Sequence, residues 1–315
     1  MLVFLLRRLF SFAGALLFGS VAIFLFIRLV PGDPARLLLK NPTPEKIAQI
    51  RHRLALDRPL PVQYVAFVSR VVGRGNFGES IVTGRSVKDD LVRTWPATVE
   101  LAVAALLIAT IIGIWLGISA ATHAGHWQDT VGTAVGLLGI SVPVFWLGLL
   151  SILLFSLELG WFPAGDRASV AGPSGFLDQF HHLVLPAVVL AMIPGSFIMR
   201  VTRSAVLEIL DQDFIRTVRA KGASERIVLY RHALRAALVP VVTMMGLEFA
   251  YLLGGAVLTE TVFAWPGIGR YIVTAVLTRD YPAIQAALLV LMVLVMLVNL
   301  LVDVLHYVIE PRLRR

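Results

Sequence analysis

The chain contains no cysteine and few charged residues. Among its 315 residues, disulfide bonds and thiolate metal ligands are therefore excluded. Asp, Glu, Lys and Arg make up 15% of the sequence, whereas apolar residues make up 57%; ordinary soluble proteins carry about 25% charged residues. This deficit of charge, together with long uncharged runs, predicts an all-α polytopic membrane protein rather than a soluble domain.

Catalytic signatures are also missing from the sequence. It lacks the G-x-x-x-x-G-K-[ST] phosphate loop, so we do not expect it to hydrolyse ATP by that route. No nucleophile–base pair or His/Glu metal cluster has useful spacing at membrane depth, so we predict no catalytic residues, no metal site and no cofactor. His181 and His182 would point about 100° apart on a helix, which disfavours metal ligation.

Six apolar segments approach the roughly 20 residues that a bilayer requires. Basic residues set their orientation: Arg7 and Arg8 precede the first segment, the loop after the fourth is strongly basic, and arginines end the chain. The net charge of +8 thus indicates cytoplasmic loops rather than nucleic acid, and both termini are predicted to be cytoplasmic. A signal peptide is the weaker alternative, because the first run is long and no small-residue cleavage site follows. The segments are about 9–30, 97–121, 131–157, 183–201, 239–258 and 283–305.

We predict three regions from these boundaries. Residues 1–30 form the N-terminal tip and first span, 31–95 a small extracytoplasmic subdomain of short helices, and 96–315 a core with five spans. Three helices are predicted in 31–95. The first starts at Thr43-Pro44-Glu45 and continues with Ile47, Ile50 and Leu54 at helical spacing. The second has an apolar face made of Tyr64, Val68, Val71 and Val72, and the third starts at Ser86 and ends before Pro96, which opens span two. This subdomain either covers the spans or meets a substrate-delivering protein.

A polar, basic loop at about 202–236 interrupts the apolar sequence. Asp213 is a candidate N-cap and Gly222 a candidate C′ residue for a short helix, and Ser224 can cap a second helix. Arg216 and Arg219 are three residues apart and share a face. A short helix exposed between two longer ones is typical of a docking surface; the alternative is that the arginines only enforce topology.

A few residues within the spans stand out. Glu248 is expected to line a pathway or to make an interhelical hydrogen bond, and Asp303 is expected to be structural. Pro143 and Pro194-Gly195 are expected to kink spans three and four. Two small-residue motifs, Gly113-x-x-x-Gly117 and Gly132-x-x-x-Gly136, permit close helix packing. Trp146, Trp161 and Trp265 are predicted near the membrane interfaces.

The basic loop resembles the "EAA" loop of ABC importer permeases. Gly222 matches the glycine of that motif, and Arg216-Thr217-Val218 stand where E-A-A would be. The version found here, Asp213 to Gly222 followed by Arg231-His232-Ala233-Leu234-Arg235 and Pro240 to Thr243, is similar to the dipeptide, oligopeptide and nickel branch. Further strings similar to that branch, in order along the chain, are Arg28 to Pro34, Leu56 to Leu60, Asn76 to Ser80, Pro96 to Leu101, Ser141 to Trp146, Phe263 to Arg270 and Asp280 to Pro282.

This resemblance implies one half of a translocation pathway that works by alternating access in the bacterial cytoplasmic membrane. The implied partners are a second homologous permease, two cytoplasmic ATPases that dock on the coupling helix, an extracytoplasmic solute-binding protein and membrane lipids. The candidate pathway residues are Glu248, Phe145 and Trp146. The implied ATPase-coupling residues are Asp213, Phe214, Arg216, Thr217, Arg219, Ala220, Lys221, Gly222, Ala223 and Ser224.

The solute stays open between short peptides, nickel or its chelates, glutathione and opine-like compounds, with short peptides the default by family breadth. A secondary transporter is the main rival class. It would be expected to show inverted repeats or paired broken helices, and the sequence contains no convincing internal repeat.

Overall fold

The computed structural model describes residues 2–29, 43–45, 57–168 and 175–309. Apart from one isolated bridge between Glu79 and Ser86, all regular structure in these ranges is helical, as the sequence predicts. The helices are α1 (Leu2–Leu29), α2 (Leu60–Arg74), α3 (Val87–Thr122), α4 (Trp127–Ser141), α5 (Val144–Glu158), α6 (Phe176–Leu210), α7 (Asp213–Ala220), α8 (Glu225–Val262), α9 (Ile268–Leu277) and α10 (Tyr281–Ile309).

Five of these helices, α1, α3, α6, α8 and α10, are long and apolar enough to cross a membrane. The pair α4 and α5 makes a sixth span if its two helices are counted as one, although they bend by 102° at their junction. The prediction of a polytopic all-α protein is therefore confirmed. The helices extend beyond the apolar segments, because polar turns at their ends continue the same backbone hydrogen bonding.

The chain divides into two compact units, of which the first contains Met1–Pro96 and Gly267–Leu294. One core of this unit is made of Phe24, Phe67 and Leu289. The predicted apolar face of α2 is largely correct, since Tyr64 and other α2 residues pack there, but Val72 is 80% exposed. The predicted helix start at Thr43-Pro44-Glu45 runs into residues outside the described ranges.

The buried carboxylate of Asp280 organises a turn in the same unit. It accepts hydrogen bonds from the Ser80 hydroxyl at 2.5 Å and from the backbone N–H groups of Ile81 at 3.2 Å and Ala283 at 3.3 Å. A carboxylate with several donors can stay buried because its charge is compensated by hydrogen bonds. Asp280 thereby ties the segment before α3 to the start of α10.

The second unit contains Ala97–Pro266 and Val295–Arg315, and α6 is its central helix. Glycines of α3 lie directly against α6: a Cβ atom at Gly113 would come within 2.8 Å of the Gly195 carbonyl oxygen, and one at Gly117 within 2.7 Å of the Met199 carbonyl oxygen. On α4, a Cβ atom at Gly136 would come within 3.3 Å of the Met199 side-chain sulfur. These glycine motifs therefore serve packing inside this chain.

Three proline predictions have different outcomes. Pro96 lies inside the continuous helix α3, so the expected separate short helix before span two is wrong. Pro194 lies inside α6, which continues past it, and the expected kink there stays a prediction. Pro143 does interrupt the chain: it is the N-cap of α5, at the 102° bend. A proline removes one helical hydrogen bond, which long helices tolerate when neighbouring turns continue the ladder.

Candidate functional site

The short helix α7 is anchored by one face. Ile215 is completely buried and packs in a cluster with Val228 and Ala233 of α8. Val218, one turn further along α7, lies against the same cluster together with Ala223. The three-residue spacing of Ile215 and Val218 puts both on one side of the helix. The eight-residue helix is thus held by an apolar contact rather than by its own weak helical stability.

The turn after α7 is a Schellman motif. The Gly222 N–H donates to the Arg219 carbonyl at 2.9 Å, and the Ala223 N–H donates to the Val218 carbonyl at 3.4 Å. Gly222 has a φ of +83°, the left-handed conformation that favours glycine. The prediction of Gly222 as the C′ residue is confirmed, and it follows that the glycine sets the direction in which the chain leaves the helix.

The opposite face of α7 is exposed and charged. Arg219 makes a bidentate ion pair with Glu225 across the turn, at 2.7 and 3.1 Å, and Arg216 reaches Asp213 at 3.3 Å. Hydrogen bonding to the Glu225 carboxylate raises the pKa of the Arg219 guanidinium, so its charge is retained. The exposed residues of this face and of the turn are Asp213, Phe214, Arg216, Thr217, Arg219, Ala220, Lys221 and Gly222.

Two details of the loop differ from expectation. Asp213 is the first residue of α7, while Gln212 is the N-cap and accepts the Ile215 N–H at 3.0 Å. Ser224 is the N-cap of α8 as predicted, but α8 continues without a break to Val262, through a π-helical stretch at Val228–Ala233. The turn after α7 therefore leads directly into one long helix.

An ion pair that sequence reasoning missed supports the helix before α7. Arg203 of α6 donates to both carboxylate oxygens of Asp129 at the start of α4, at 2.6 and 2.7 Å. The same carboxylate accepts the Gly125 backbone N–H at 3.1 Å. Arg203 stands two turns before the end of α6, so the pair fixes the helix that leads into α7. The signal available in the sequence was Asp129 itself, a single acidic residue just before the third apolar segment.

A second unpredicted network is fully buried at the other end of α8. Thr98 of α3 donates to the Glu260 carboxylate at 2.7 Å, and the Trp265 indole N–H donates to the Ala97 carbonyl at 2.8 Å. Trp265 is 0% exposed, so its ring packs inside the protein, and its position near a membrane interface stays a prediction. A buried indole needs a hydrogen-bond acceptor, and the Ala97 carbonyl provides it.

The candidate pathway residues do not form one cluster. Glu248 lies in the middle of α8, is 6% exposed, and makes no hydrogen bond or ion pair with the part of the chain described here. Phe145 and Trp146 are half-exposed at the start of α5, within a turn of Gly148, which contacts Val262. Val262 is 14 residues beyond Glu248 on α8, a separation of roughly 20 Å along a helix.

The two adjacent histidines each bond to a different backbone carbonyl. His181 Nε2 lies 2.6 Å from the Trp161 oxygen, and His182 Nδ1 lies 2.8 Å from the Gly165 oxygen. Gly165 also packs against the Phe263 backbone, and Arg167 pairs with Glu100. The histidines thus hold the segment after α5 in place. They can do so because their rings point in different directions and reach two different carbonyl oxygens.

Comparison with known proteins defines the class of this fold and site. Residues 113–315 match the family described as the inner membrane component of binding-protein-dependent transport systems, and residues 1–102 match the family described as the N-terminal part of that membrane component. The chain belongs to this family of ABC importer permeases. The predicted membership of the ABC importer permeases is thereby confirmed, while the role of the basic loop stays a prediction.

Individual relatives narrow the position within the family. The chain is 42% identical over 334 residues to the di/tripeptide transport system permease protein DppB of Pseudomonas aeruginosa, covering 100% of this chain and 99% of the relative. It is 41% identical over 315 residues to the glutathione transport system permease protein GsiC of Salmonella typhimurium, again covering 100% and 99%.

Solved structures agree on the fold. The inward-facing MetNI methionine ABC transporter matches 70% of this chain and 96% of its own, with a TM-score of 0.58 and 19% identity. An amino acid ABC transporter solved with histidines matches 70% of this chain and 94% of its own, with a TM-score of 0.54 and 13% identity. At such low identity these structures speak for the shared permease fold alone.

Proposed function

We propose that this chain is the first permease subunit of an ATP-driven importer that carries short peptides across the bacterial cytoplasmic membrane. The observation that carries this proposal is similarity above 40% over the full length to permeases named for di/tripeptides and for glutathione, itself a tripeptide. A shared solute class of two or three residues connected by peptide bonds is the simplest account of both relatives.

The coupling helix in this proposal is α7. Its exposed face, with Arg216 and Arg219, docks on a cytoplasmic ATPase, and its buried face, with Ile215, is held against α8. A partner that grips the exposed face can therefore pull on a spanning helix through an apolar contact. Because the chain lacks its own phosphate loop, the energy comes from two partner ATPases, and a second permease completes the pathway.

The orientation follows from the same role. If α7 meets a cytoplasmic ATPase, then both termini are cytoplasmic and the region 31–95 is an extracytoplasmic subdomain, placed to meet a solute-binding protein. The core with the remaining spans is 96–315. Within it, Glu248 is proposed to face the pathway, since a buried carboxylate in a spanning helix usually faces water or solute. Phe145 and Trp146 are proposed as contacts at a different depth.

The test is purification of this chain from native membranes in mild detergent, followed by reconstitution into liposomes. We expect a second permease and one or two ATPases to co-purify, and uptake of labelled dipeptides and tripeptides to require ATP. The solutes are distinguished by competition. Glutathione or a nickel salt is added in excess, and the decrease in uptake of the labelled peptide is measured. A chain that purifies alone and moves solute under an ion gradient would instead be a secondary transporter.

A further inference from the structure

The cations of the loop and of the start of α8 fall into two groups. Arg203, Arg216 and Arg219 each have a carboxylate partner. Arg231 and Arg235, on α8, make no ion pair with any described residue. They are four residues apart, an arrangement in which like charges repel on a helix. This pair of arginines therefore lacks the carboxylate partner that the first group has. Lys221 and Arg226 also make no ion pair with a described residue, so what distinguishes Arg231 and Arg235 is their position one turn apart on the same helix.

The two unpaired arginines line a single open pocket. Its volume is about 320 Å³, and its wall consists of Phe214, Arg231, His232, Arg235 and Ala236. The arginines and the histidine supply N–H donors, while the phenyl ring and the alanine methyl supply apolar contact. No carboxylate belongs to the lining. The chemistry of the wall suits an anion attached to an apolar group, and arginine is the side chain that best binds phosphate through paired N–H groups.

The pocket lies at the edge of an apolar run. Arg235 directly precedes the uncharged stretch 236–247, which enters the membrane as part of α8. Arg231 is one turn further out, about 6 Å along the axis. The headgroup layer on each side of a bilayer is roughly 5–8 Å thick. Both arginines thus stand at headgroup depth, where basic pockets between helices bind anionic lipids, whereas an ATPase must sit beyond the headgroups.

We infer that this pocket binds the headgroup of an anionic phospholipid, with its phosphate between Arg231 and Arg235 and its glycerol region against Phe214. The inference goes beyond the proposed transport role. Both arginines lie on α8, and Phe214 is the one lining residue that the pocket shares with the exposed face of α7. A lipid held there fills the space beside the short helix and neutralises the repulsion between the two guanidinium groups.

The test uses the complete transporter in nanodiscs of phosphatidylcholine doped with phosphatidylglycerol, with retained lipid counted by native mass spectrometry. Arg231→Gln/Arg235→Gln is compared with a matched control, Arg200→Gln/Arg226→Gln, which removes the same charge from exposed positions outside the pocket. A direct hydrogen bond to a charged group contributes at least about a tenfold gain in binding, and only the pocket arginines are proposed to make such bonds to the phosphate. We expect at least about tenfold weaker phosphatidylglycerol retention in the pocket variant than in the control.

Two further arms decide the source of the phosphate and keep the test valid if the variant misfolds. Excess inorganic phosphate should fail to displace the lipid from the wild-type transporter. In contrast, 0.5 M salt should release it, because the screening length falls to about 5 Å and the attraction between the arginines and the lipid is weakened. The inference is overturned by equal lipid retention in both variants, by displacement with free phosphate, or by salt-independent retention in the wild type. It is also overturned if the pocket variant loses its ATPase in pure phosphatidylcholine, since the arginines would then bind that subunit.

Discussion

Replacing Ile215 with alanine should disconnect α7 from α8 without removing any charge from its exposed face. Ile215 is completely buried and packs against Val228 and Ala233. Truncating a buried isoleucine to alanine costs about 2–5 kcal/mol. Taking about 3 kcal/mol, the equilibrium between the seated and the released helix falls roughly a hundredfold, because each 1.4 kcal/mol is a factor of ten.

The assay measures peptide uptake and ATP hydrolysis together in proteoliposomes that contain the whole transporter. With Ile215→Ala we expect ATP hydrolysis to persist and peptide uptake per ATP to fall by at least about tenfold, since a released helix no longer transmits the motion of the ATPase. Ile215→Leu, which conserves volume, should cost less than about 1.5 kcal/mol and retain coupling. Ile268→Ala, at an equally buried isoleucine outside the loop, controls for a general loss of stability.

One result would refute this reasoning. If Ile215→Ala is produced at the wild-type level and transports with the wild-type ratio of peptide to ATP, then the apolar seat of α7 does not carry the coupling. Loss of the ATPase from the purified complex would point to a different fault, namely docking. The two outcomes are separated by measuring bound ATPase before transport is assayed.

Two more substitutions have defined outcomes. Gly222→Ala and Gly84→Ala both place a methyl group in open space at a left-handed φ, +83° and +67°. Each should therefore destabilise the fold by about 1 kcal/mol and lower the Tm by roughly 2 °C. Only Gly222→Ala should reduce peptide uptake, and an equal loss of uptake with Gly84→Ala would contradict the role of the turn. Asp129→Asn should destabilise by about 2 kcal/mol in thermal unfolding, less than the 3–5 kcal/mol of a fully buried pair because the Arg203 side chain is 32% exposed. Asp129→Asn combined with Arg203→Gln should cost less than the sum of the single changes, and strict additivity would show that the pair contributes nothing.

The sequence was sufficient for features that depend on local chemistry. Apolar length predicted the spans, because a bilayer sets a minimum number of uncharged residues. The helix, glycine and capping serine around Gly222 were predicted because a left-handed residue and an N-cap each require particular side chains. Both features are decided within a few residues of the chain, so neither needs knowledge of the tertiary structure.

Features that depend on distant contacts were missed or mistaken. By its type Trp265 is predicted to lie near a membrane interface, but its side chain is buried and its indole N–H donates to the Ala97 carbonyl, 168 residues away. Pro96 is predicted to start a helix, whereas α3 runs through it. The bidentate contact between Asp129 and Arg203 joins residues 74 positions apart. In each case a partner remote in sequence decides the outcome, and a single sequence does not reveal that partner.

The coupling role proposed for α7 depends on distant contacts as well as on local ones. Arg203 is fixed by Asp129 shortly before the chain enters α7, and Ile215 and Gly222 fix α7 and its exit. Contacts therefore fix the chain before α7, the helix itself and the turn after it, while the charged face of α7 stays exposed. We propose that such a segment moves as one body when a partner binds it, and that α8 moves with it through the contact of Ile215 with Val228 and Ala233. Coupling through a rigid contact of this kind predicts that its apolar seat matters more than any single exposed charge.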